Sequence, residues 1–152
     1  MEMMDRGEII ACDIHPHKLA LIEKGAQRLG MQSIQTVQAD GRELREEWKN
    51  AFDLVLCDVP CSGLGIIRKK PDIRYKDPKQ LAGLPAVQTA ILENASNYVS
   101  PGGALLYATC TVLPEENESV TDDFLARHPE FVKEPFPLPC LPAENLLPRR
   151  WR

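Results

Sequence analysis

The sequence predicts an α/β fold, in which parallel strands form one sheet and helices cover both of its faces. Strand and helix patterns alternate along the chain. The strand segments are short and nearly continuous apolar runs, which is typical of strands buried on both sides. Acidic residues or cysteines stand where these runs end. With 152 residues the chain has the length of one domain, and it shows no internal repeat.

The N-terminal part of the chain contains a strand, a helix and a second strand. Residues 8–14 are rich in isoleucine and predict the first strand. Pro16 is suited to the first turn of a helix, and apolar residues recur at helical spacing until Gly30 ends it. The alternating pattern of residues 34–39 predicts the second strand.

The middle of the chain continues this alternation. A short helix is expected at residues 43–48, and the apolar run 53–58 predicts a third strand covered on both faces. Residues 79–99 follow as a largely helical segment, in which Pro85 should break or restart the helix.

The last strand and helix precede an irregular tail. Residues 101–103 predict a turn, residues 104–109 a fourth buried strand, and residues 115–127 a helix with acids in its first turn. Five prolines between residues 135 and 148 predict an irregular C-terminal segment. The order β-α-β-α-β-α-β-α is that of a parallel sheet.

Composition favours a cytoplasmic globular protein. The chain is 43% hydrophobic and 26% charged, with a net charge of −4, and no apolar run reaches the ~20 residues of a membrane helix. The N-terminus shows no signal-peptide pattern. Five cysteines without such a signal indicate free thiols. No metal site is expected, because there is no CxxC pair and the three histidines complete no ligand set.

Features that suit a binding site follow all four predicted strands. These features are Asp13, Asp40, the segment 58–63 (DVPCSG), and Thr109 with Cys110. In open parallel sheets ligands bind beyond the carboxyl ends of the strands. We therefore expect a site at this edge of the sheet.

Asp13 and Asp40 each allow two interpretations. Asp13 can accept hydrogen bonds from the hydroxyls of a ribose, or it can simply cap the helix that follows. Asp40 can hold an adenine amino group, or it can form a turn with Gly41. No GxGxxG loop is present, and the chain begins about one strand and most of one helix later than a nucleotide-binding sheet would. We therefore expect it to be a fragment.

Cys61 and Cys110 are the most informative cysteines. Cys12 and Cys57 fit the ordinary interpretation of inert, buried thiols. Cys61 lies in a turn instead, where backbone N–H groups and nearby cations can lower a thiol pKa. The two cysteines could form a redox pair, but Asp58 next to them is better explained as a group that contacts a substrate ring.

A short segment after Cys61 is strongly basic. Its cations are Arg68, Lys69, Lys70, Arg74, Lys76 and Lys79. A solvated loop is the ordinary explanation for such a run, but its position beside a strand end also links it to the expected site.

Two segments carry a family resemblance. DVPCSGLGIIRKKPDIRY resembles motif IV of the Sun-type RNA (cytosine-5)-methyltransferases, and YATCTVLPEENESV resembles motif VI. The similarity extends from Gly7 to about Phe131 and is greatest to the group that methylates bacterial 16S rRNA. It implies a Rossmann-like S-adenosylmethionine-dependent methyltransferase sheet that lacks its first strand and its final hairpin. It also implies that residues 1–134 are part of a catalytic domain, with residues 135–152 as an irregular segment of the same domain.

The resemblance also implies roles for residues. Cys110 would be the nucleophile that adds to C6 of cytosine, so that C5 becomes reactive, and Cys61 would assist release of the product. Asp58 would contact the N3/N4 edge of the base and also line the cofactor site. Asp13 would hold the ribose of S-adenosylmethionine and Asp40 its adenine. The RNA contacts would be Arg68, Lys69, Lys70 and Arg74.

Other functions remain open at this point. The substrate could be 16S rRNA or tRNA. A non-catalytic nucleotide-binding module would explain Asp13 and Asp40 but not the two cysteines, and a thiol redox protein would not explain Asp58 or the basic segment. We expect the fragment to be inactive alone, because the glycine-rich motif I is absent.

Overall fold

The structure, a computed structural model, describes residues 5–134, so the predicted irregular tail lies outside the described residues. The strands are β1 (Ile9–Asp13), β2 (Ile34–Gln38), β3 (Phe52–Asp58) and β4 (Val99–Ala108). The α-helices are α1 (Pro16–Leu29), α2 (Pro78–Leu81), α3 (Leu84–Ser96) and α4 (Glu118–Arg127). Short 3-10 turns occupy Glu46–Trp48, Leu64–Ile66, Pro71–Tyr75 and Pro114–Glu116. The predicted alternation of strands and helices is confirmed.

Proline and glycine set the helix limits. Pro16 stands in the first turn of α1, and Gly30 ends the helix with a φ of 69°, a left-handed conformation that glycine adopts without strain. The predicted long helix 79–99 is two helices, because Pro85 lies in the first turn of α3 and its ring cannot continue a preceding helix.

The turn predicted at residues 101–103 lies inside β4, as an irregularity in its pairing with β3. Phe52 pairs with Val99 and Leu54 pairs with Ala104. An advance of two residues along β3 therefore corresponds to an advance of five residues along β4. Glycine is required there, because a Cβ on Gly103 would lie 2.9 Å from the Ser100 carbonyl oxygen. The strand therefore begins earlier than the sequence predicts and bulges at its proline and glycines.

The strands form two parallel pairs, which fits the expectation of a parallel sheet that lacks its first strand. β1 pairs with β2, and β3 pairs with β4, and within residues 5–134 no strand joins the two pairs. The loop after β2 is tied to α3, because the Asn94 side chain donates hydrogen bonds to the carbonyl oxygens of Gly41 and Glu43, at 2.8 and 2.9 Å.

The core lies between the β3–β4 pair and helices α3 and α4. Its buried apolar residues are Cys57, Val59, Leu92, Ala95, Val120 and Phe124. The other face of β3 is open: Leu54 is 62% exposed and Leu56 is 60% exposed. The prediction that this strand is covered on both faces is therefore wrong, since no described element packs on that side. None of the described helices has the length and apolar character needed to cross a membrane.

Candidate active site

The loops after β3 and β4 bring Cys61 and Cys110 together. The two strands end side by side, and the Val59 amide donates a hydrogen bond to the Ala108 carbonyl oxygen just before the loops begin. The sulfurs of Cys61 and Cys110 lie 2.9 Å apart, and both are free thiols. The expectation that these strand ends meet is confirmed.

The sulfur pair has an asymmetric environment. The Cys110 amide also donates a hydrogen bond to the Cys61 sulfur, at 3.2 Å. Hydrogen bonding to Cys61, then burial, then the nearby charges of Cys61 and Asp58 raise the pKa of the Cys110 thiol.

The other described cysteines differ from this pair. Burial raises the pKa of Cys57 to about 12, which makes this thiol inert, as predicted. The prediction that Cys12 is buried as well is wrong, because this residue is exposed. The reason is that α1 packs on the β1–β2 pair, and a single helix covers only one face of that pair.

Glycines allow the two cysteine loops to approach each other. Gly63 has a φ of 79°, which permits the sharp turn after Cys61. The Gly65 amide donates a hydrogen bond to the Cys110 carbonyl oxygen at 3.0 Å, and a Cβ on Gly65 would stand 2.9 Å from the same oxygen.

A buried polar network lies beside the sulfur pair. Ser62 and Gln88 are fully buried, and Glu116 is only 2% exposed. The Lys76 ammonium donates a hydrogen bond to the Ser62 carbonyl oxygen at 3.2 Å. Ser62 belongs to the segment 58–63 and Lys76 to the basic segment, both of which the sequence singles out, whereas Gln88 and Glu116 are not assigned to the site from the sequence. The available signal is Gln88, a polar residue that interrupts the apolar stripe of α3.

Asp58 ends β3 next to the cysteine loops. Its side chain is exposed and makes no hydrogen bond with any described residue. The negative charge of Asp58 is one of the causes that raise the pKa of the Cys110 thiol, so the two side chains interact electrostatically. The carboxylate is therefore available to a ligand beside the sulfurs.

Asp13 ends β1 and contacts the start of α1. Its carboxylate accepts hydrogen bonds from the His15 amide at 2.8 Å and from the Lys18 ammonium at 3.1 Å. Burial opposes ionisation, but these bonds outweigh it and lower the pKa of Asp13. Asp13 is not the N-cap that the sequence allows, because the N-cap of α1 is His15 and no side chain caps this helix. The ionised carboxylate of Asp13 can also accept hydroxyl donors.

Asp40 follows β2 and pairs with Arg42. The guanidinium lies 2.5 Å from the carboxylate, and hydrogen bonds from the Arg42 side chain and backbone lower the pKa of Asp40 to about 2. An open cleft of about 320 Å³ lies beside it. The cleft is lined by Ile14, Gln38, Ala39, Asp40, Glu43, Leu44 and Arg45.

The predicted site residues therefore fall into two sets. Asp13 and Asp40 lie at the end of the first strand pair, and Asp58 lies with the two cysteines at the end of the second. The four predicted RNA contacts, Arg68, Lys69, Lys70 and Arg74, are exposed and make no ion pair with a described residue. Within residues 5–134 no group of His, Cys, Asp and Glu is arranged to hold a metal ion.

Comparisons with known proteins agree with this architecture. A family model described as 16S rRNA methyltransferase RsmB/F matches residues 1–143. The Bacillus subtilis (strain 168) protein named "Probable ribosomal RNA small subunit methyltransferase B" is 40% identical over 152 residues, which are 99% of this chain and 33% of that protein. The chain thus spans about a third of the length of this relative.

Solved structures confirm the predicted fold class. The crystal structure of PH0851 matches with a TM-score of 0.86 and 33% identity, over 93% of this chain and 32% of that one. NSun6 from Pyrococcus horikoshii, solved with SFG, matches with a TM-score of 0.66 and 29% identity, over 81% of this chain and 31% of that one. The resemblance seen in the two cysteine motifs is confirmed as well: the chain belongs to the 16S rRNA methyltransferase RsmB/F family.

Proposed function

We propose that this chain is part of a cytoplasmic enzyme that transfers a methyl group from S-adenosylmethionine to C5 of a cytosine in 16S rRNA. The observation that supports this most is the 2.9 Å approach of the Cys61 and Cys110 sulfurs at the ends of adjacent parallel strands. The substrate follows the names of the family and of its relatives. Residues 1–134 are proposed as part of the catalytic domain, with residues 135–152 belonging to it.

The first strand pair is suited to the nucleoside part of the cofactor. The neighbouring NSun6 structure contains SFG, an analogue of S-adenosylmethionine. We assign the ribose hydroxyls to Asp13 and the adenine amino group to Asp40, whose lowered pKa values keep both carboxylates ionised as acceptors. Ile14 and Leu44 supply apolar surface in the cleft beside Asp40. When bound, S-adenosylmethionine would supply the methyl group, and Asp58 would line its site from the second strand pair.

Cys110 is assigned the attack on the base. Cytosine C5 is a weak nucleophile until a thiolate adds to C6 and pushes electron density onto C5. Cys110 attacks as the thiolate, and because this residue is exposed its proton can pass to solvent before the addition. After C5 has been methylated and has lost its proton, the Sγ–C6 bond breaks and restores the aromatic ring.

Asp58 and Cys61 assist the reaction at different stages, Asp58 when the adduct forms and Cys61 when it breaks down. Cys61 assists elimination from the methylated adduct. Asp58 accepts a hydrogen bond from the N3/N4 edge of the cytosine, which favours charge in the ring as the adduct forms. The target base must be unpaired or flipped out of its stack to reach this edge of the sheet. Arg68, Lys69, Lys70 and Arg74 are assigned to the RNA around it.

The roles of the two cysteines can be separated on a denaturing gel. The full-length protein that contains this chain is incubated with radiolabelled S-adenosylmethionine and unmodified small-subunit rRNA. With Cys110→Ala we expect neither methylation nor a covalent complex, because the nucleophile is gone. With Cys61→Ala we expect a slow-migrating protein–RNA band, because attack proceeds and elimination does not. Cys12→Ala, which alters an exposed thiol outside the pair, should methylate RNA without forming the band.

Three outcomes would contradict this proposal. A covalent band with Cys110→Ala and none with Cys61→Ala would mean that the two roles are exchanged. Methylation of tRNA but not of small-subunit rRNA would contradict the substrate. Label at a position other than C5 of cytosine would contradict the chemistry.

A further inference from the structure

Glu116 holds the loop that carries Cys61. One carboxyl oxygen, Oε2, accepts hydrogen bonds from the Ser62 amide at 2.8 Å and from the Gln88 side-chain amide at 2.9 Å. The same Gln88 nitrogen also donates to the Pro60 carbonyl oxygen at 2.9 Å. The residues on both sides of Cys61 are therefore fixed through one buried carboxyl group.

Asn117 holds the loop that carries Cys110. Its side-chain oxygen accepts a hydrogen bond from the Thr109 hydroxyl at 2.5 Å. Its side-chain nitrogen donates to the carbonyl oxygens of Thr111, at 3.3 Å, and Leu113, at 2.9 Å. The residues on both sides of Cys110 are thus fixed by the amino acid that directly follows Glu116.

Two further bonds join these contacts. The hydroxyls of Ser62 and Thr111 lie 2.7 Å apart, so the two cysteine loops are linked directly. The Tyr107 hydroxyl of β4 donates a hydrogen bond to the Glu116 carbonyl oxygen at 2.8 Å, which fixes the Glu116–Asn117 backbone to the sheet. A displacement of either side chain would therefore change the separation of the two sulfurs.

We propose that Glu116 and Asn117 are positioning residues that set the distance between the Cys61 and Cys110 sulfurs. Glu116 acts through the Cys61 loop, and Asn117 acts through the Cys110 loop. This inference deepens the proposed function and rests on it for its catalytic consequence. The claim that Glu116 and Asn117 set the distance between the two sulfurs does not depend on which base is methylated.

The geometry identifies informative variants. Glu116→Ala removes the acceptor of two buried donors, whereas Glu116→Gln keeps one side-chain oxygen for them. The other carboxyl oxygen, Oε1, has no hydrogen-bond partner among the described residues, so an NH₂ group there displaces no bond. Asn117→Ala tests the Cys110 loop separately. Glu115→Ala is the matched control, because Glu115 lies in the same short turn, is exposed and contacts no described polar group.

The test measures the thiol separation without turnover. The full-length protein and its variants are treated with the thiol oxidant diamide, which takes two electrons and joins neighbouring thiols directly as a disulfide bridge, and the Cys61–Cys110 disulfide is quantified by peptide mass spectrometry. We expect Glu116→Ala and Asn117→Ala to lower the bridging rate by about tenfold or more, since a shift of about 1 Å in reacting groups has effects of that size. Glu116→Gln and Glu115→Ala should bridge as the unaltered protein does.

A catalytic readout accompanies the chemical one. Single-turnover methyl transfer should slow in Glu116→Ala and Asn117→Ala, while the dissociation constants for RNA and S-adenosylmethionine stay unchanged. Glu116→Gln should restore the rate. If Glu116→Ala fails to fold, as judged by its circular dichroism, Asn117→Ala and Glu116→Gln still decide the matter.

Unchanged bridging in folded Glu116→Ala and Asn117→Ala would overturn the inference, and so would slow bridging in Glu115→Ala. Slow bridging in Glu116→Gln would show that the oxygen acceptor is not what matters, and would also overturn it. A full-length protein that bridges as expected but does not methylate cytosine would sink the proposed function and leave the positioning role supported.

Discussion

Gly65 lies closer to the backbone of Cys110 than a larger residue could. A Cβ at this position would stand 2.9 Å from the Cys110 carbonyl oxygen, a backbone atom that cannot rotate away. We predict that Gly65→Ala displaces Cys110 and lowers kcat for RNA methylation by about tenfold or more, with little change in the KM for RNA. Steady-state kinetics of the full-length protein measure both values.

Gly83→Ala is the control for that substitution. Gly83 precedes α3, and no atom lies within 4 Å of the Cβ it would acquire. The kcat of Gly83→Ala should match that of the unaltered protein. Equal kcat values for Gly65→Ala and the unaltered protein would show that the Cys110 loop tolerates displacement.

The approach of Cys61 and Cys110 can be predicted from the sequence, but the residues that hold their loops cannot. Cys61 and Cys110 are recognisable because each follows an apolar strand, and parallel strands place their carboxyl ends together. Gln88 lies 28 residues from its partner Pro60, and Glu116 lies 54 residues from its partner Ser62. Both become buried only through tertiary packing. A polar residue within an apolar helix stripe is a weak signal until the structure shows its partner.

The strands and helices themselves follow mostly from local pattern. The limits of α1 are set by Pro16 and Gly30, and both act within their own turn of helix. The start of β4 differs from the prediction, because a proline and two glycines ordinarily predict a turn and here form a bulge opposite β3. Pairing with a distant strand decides between these two structures, and the local sequence does not contain that information.

We expect the three cations between the two 3-10 turns after β3 to bind the phosphates of RNA. Arg68, Lys69 and Lys70 are exposed and form no ion pair with a described residue. We predict that the triple alanine variant of the full-length protein binds RNA more weakly and with a shallower dependence on salt. The slope of the logarithm of the binding constant against the logarithm of the salt concentration should become shallower by about 0.7 for each single-strand phosphate that no longer pairs with a cation. Fluorescence anisotropy across a salt series measures this slope.

The cofactor affinity of that variant serves as its control. We assign these side chains to RNA and not to the cofactor, so titration with S-adenosylmethionine should give the same dissociation constant for the variant and the unaltered protein. An unchanged salt slope would mean that the segment is only a solvated loop.

Within residues 5–134 the strands form two pairs, to which we assign different tasks. The first pair presents Asp13 and Asp40, and the second presents Asp58 with the two cysteines. A single continuous sheet would hold these groups in one rigid row. In the described residues the pairs are joined instead through side chains, such as the bonds from Asn94 to the loop after β2.

This arrangement predicts weak cofactor binding by residues 1–152 alone. A ligand that contacts both strand pairs gains full affinity only if their separation is fixed beforehand, because ordering them on binding costs free energy. The exposed Leu54 and Leu56 show that one face of β3 is open, so part of the surface that would fix this separation is uncovered. We expect calorimetric titration of the 152-residue chain with S-adenosylmethionine to give a dissociation constant weaker than about 1 μM, or less than about 8.2 kcal/mol of binding free energy. The full-length protein, titrated in parallel, should bind more tightly, and micromolar or tighter binding by the chain alone would show that the two pairs are already held in place.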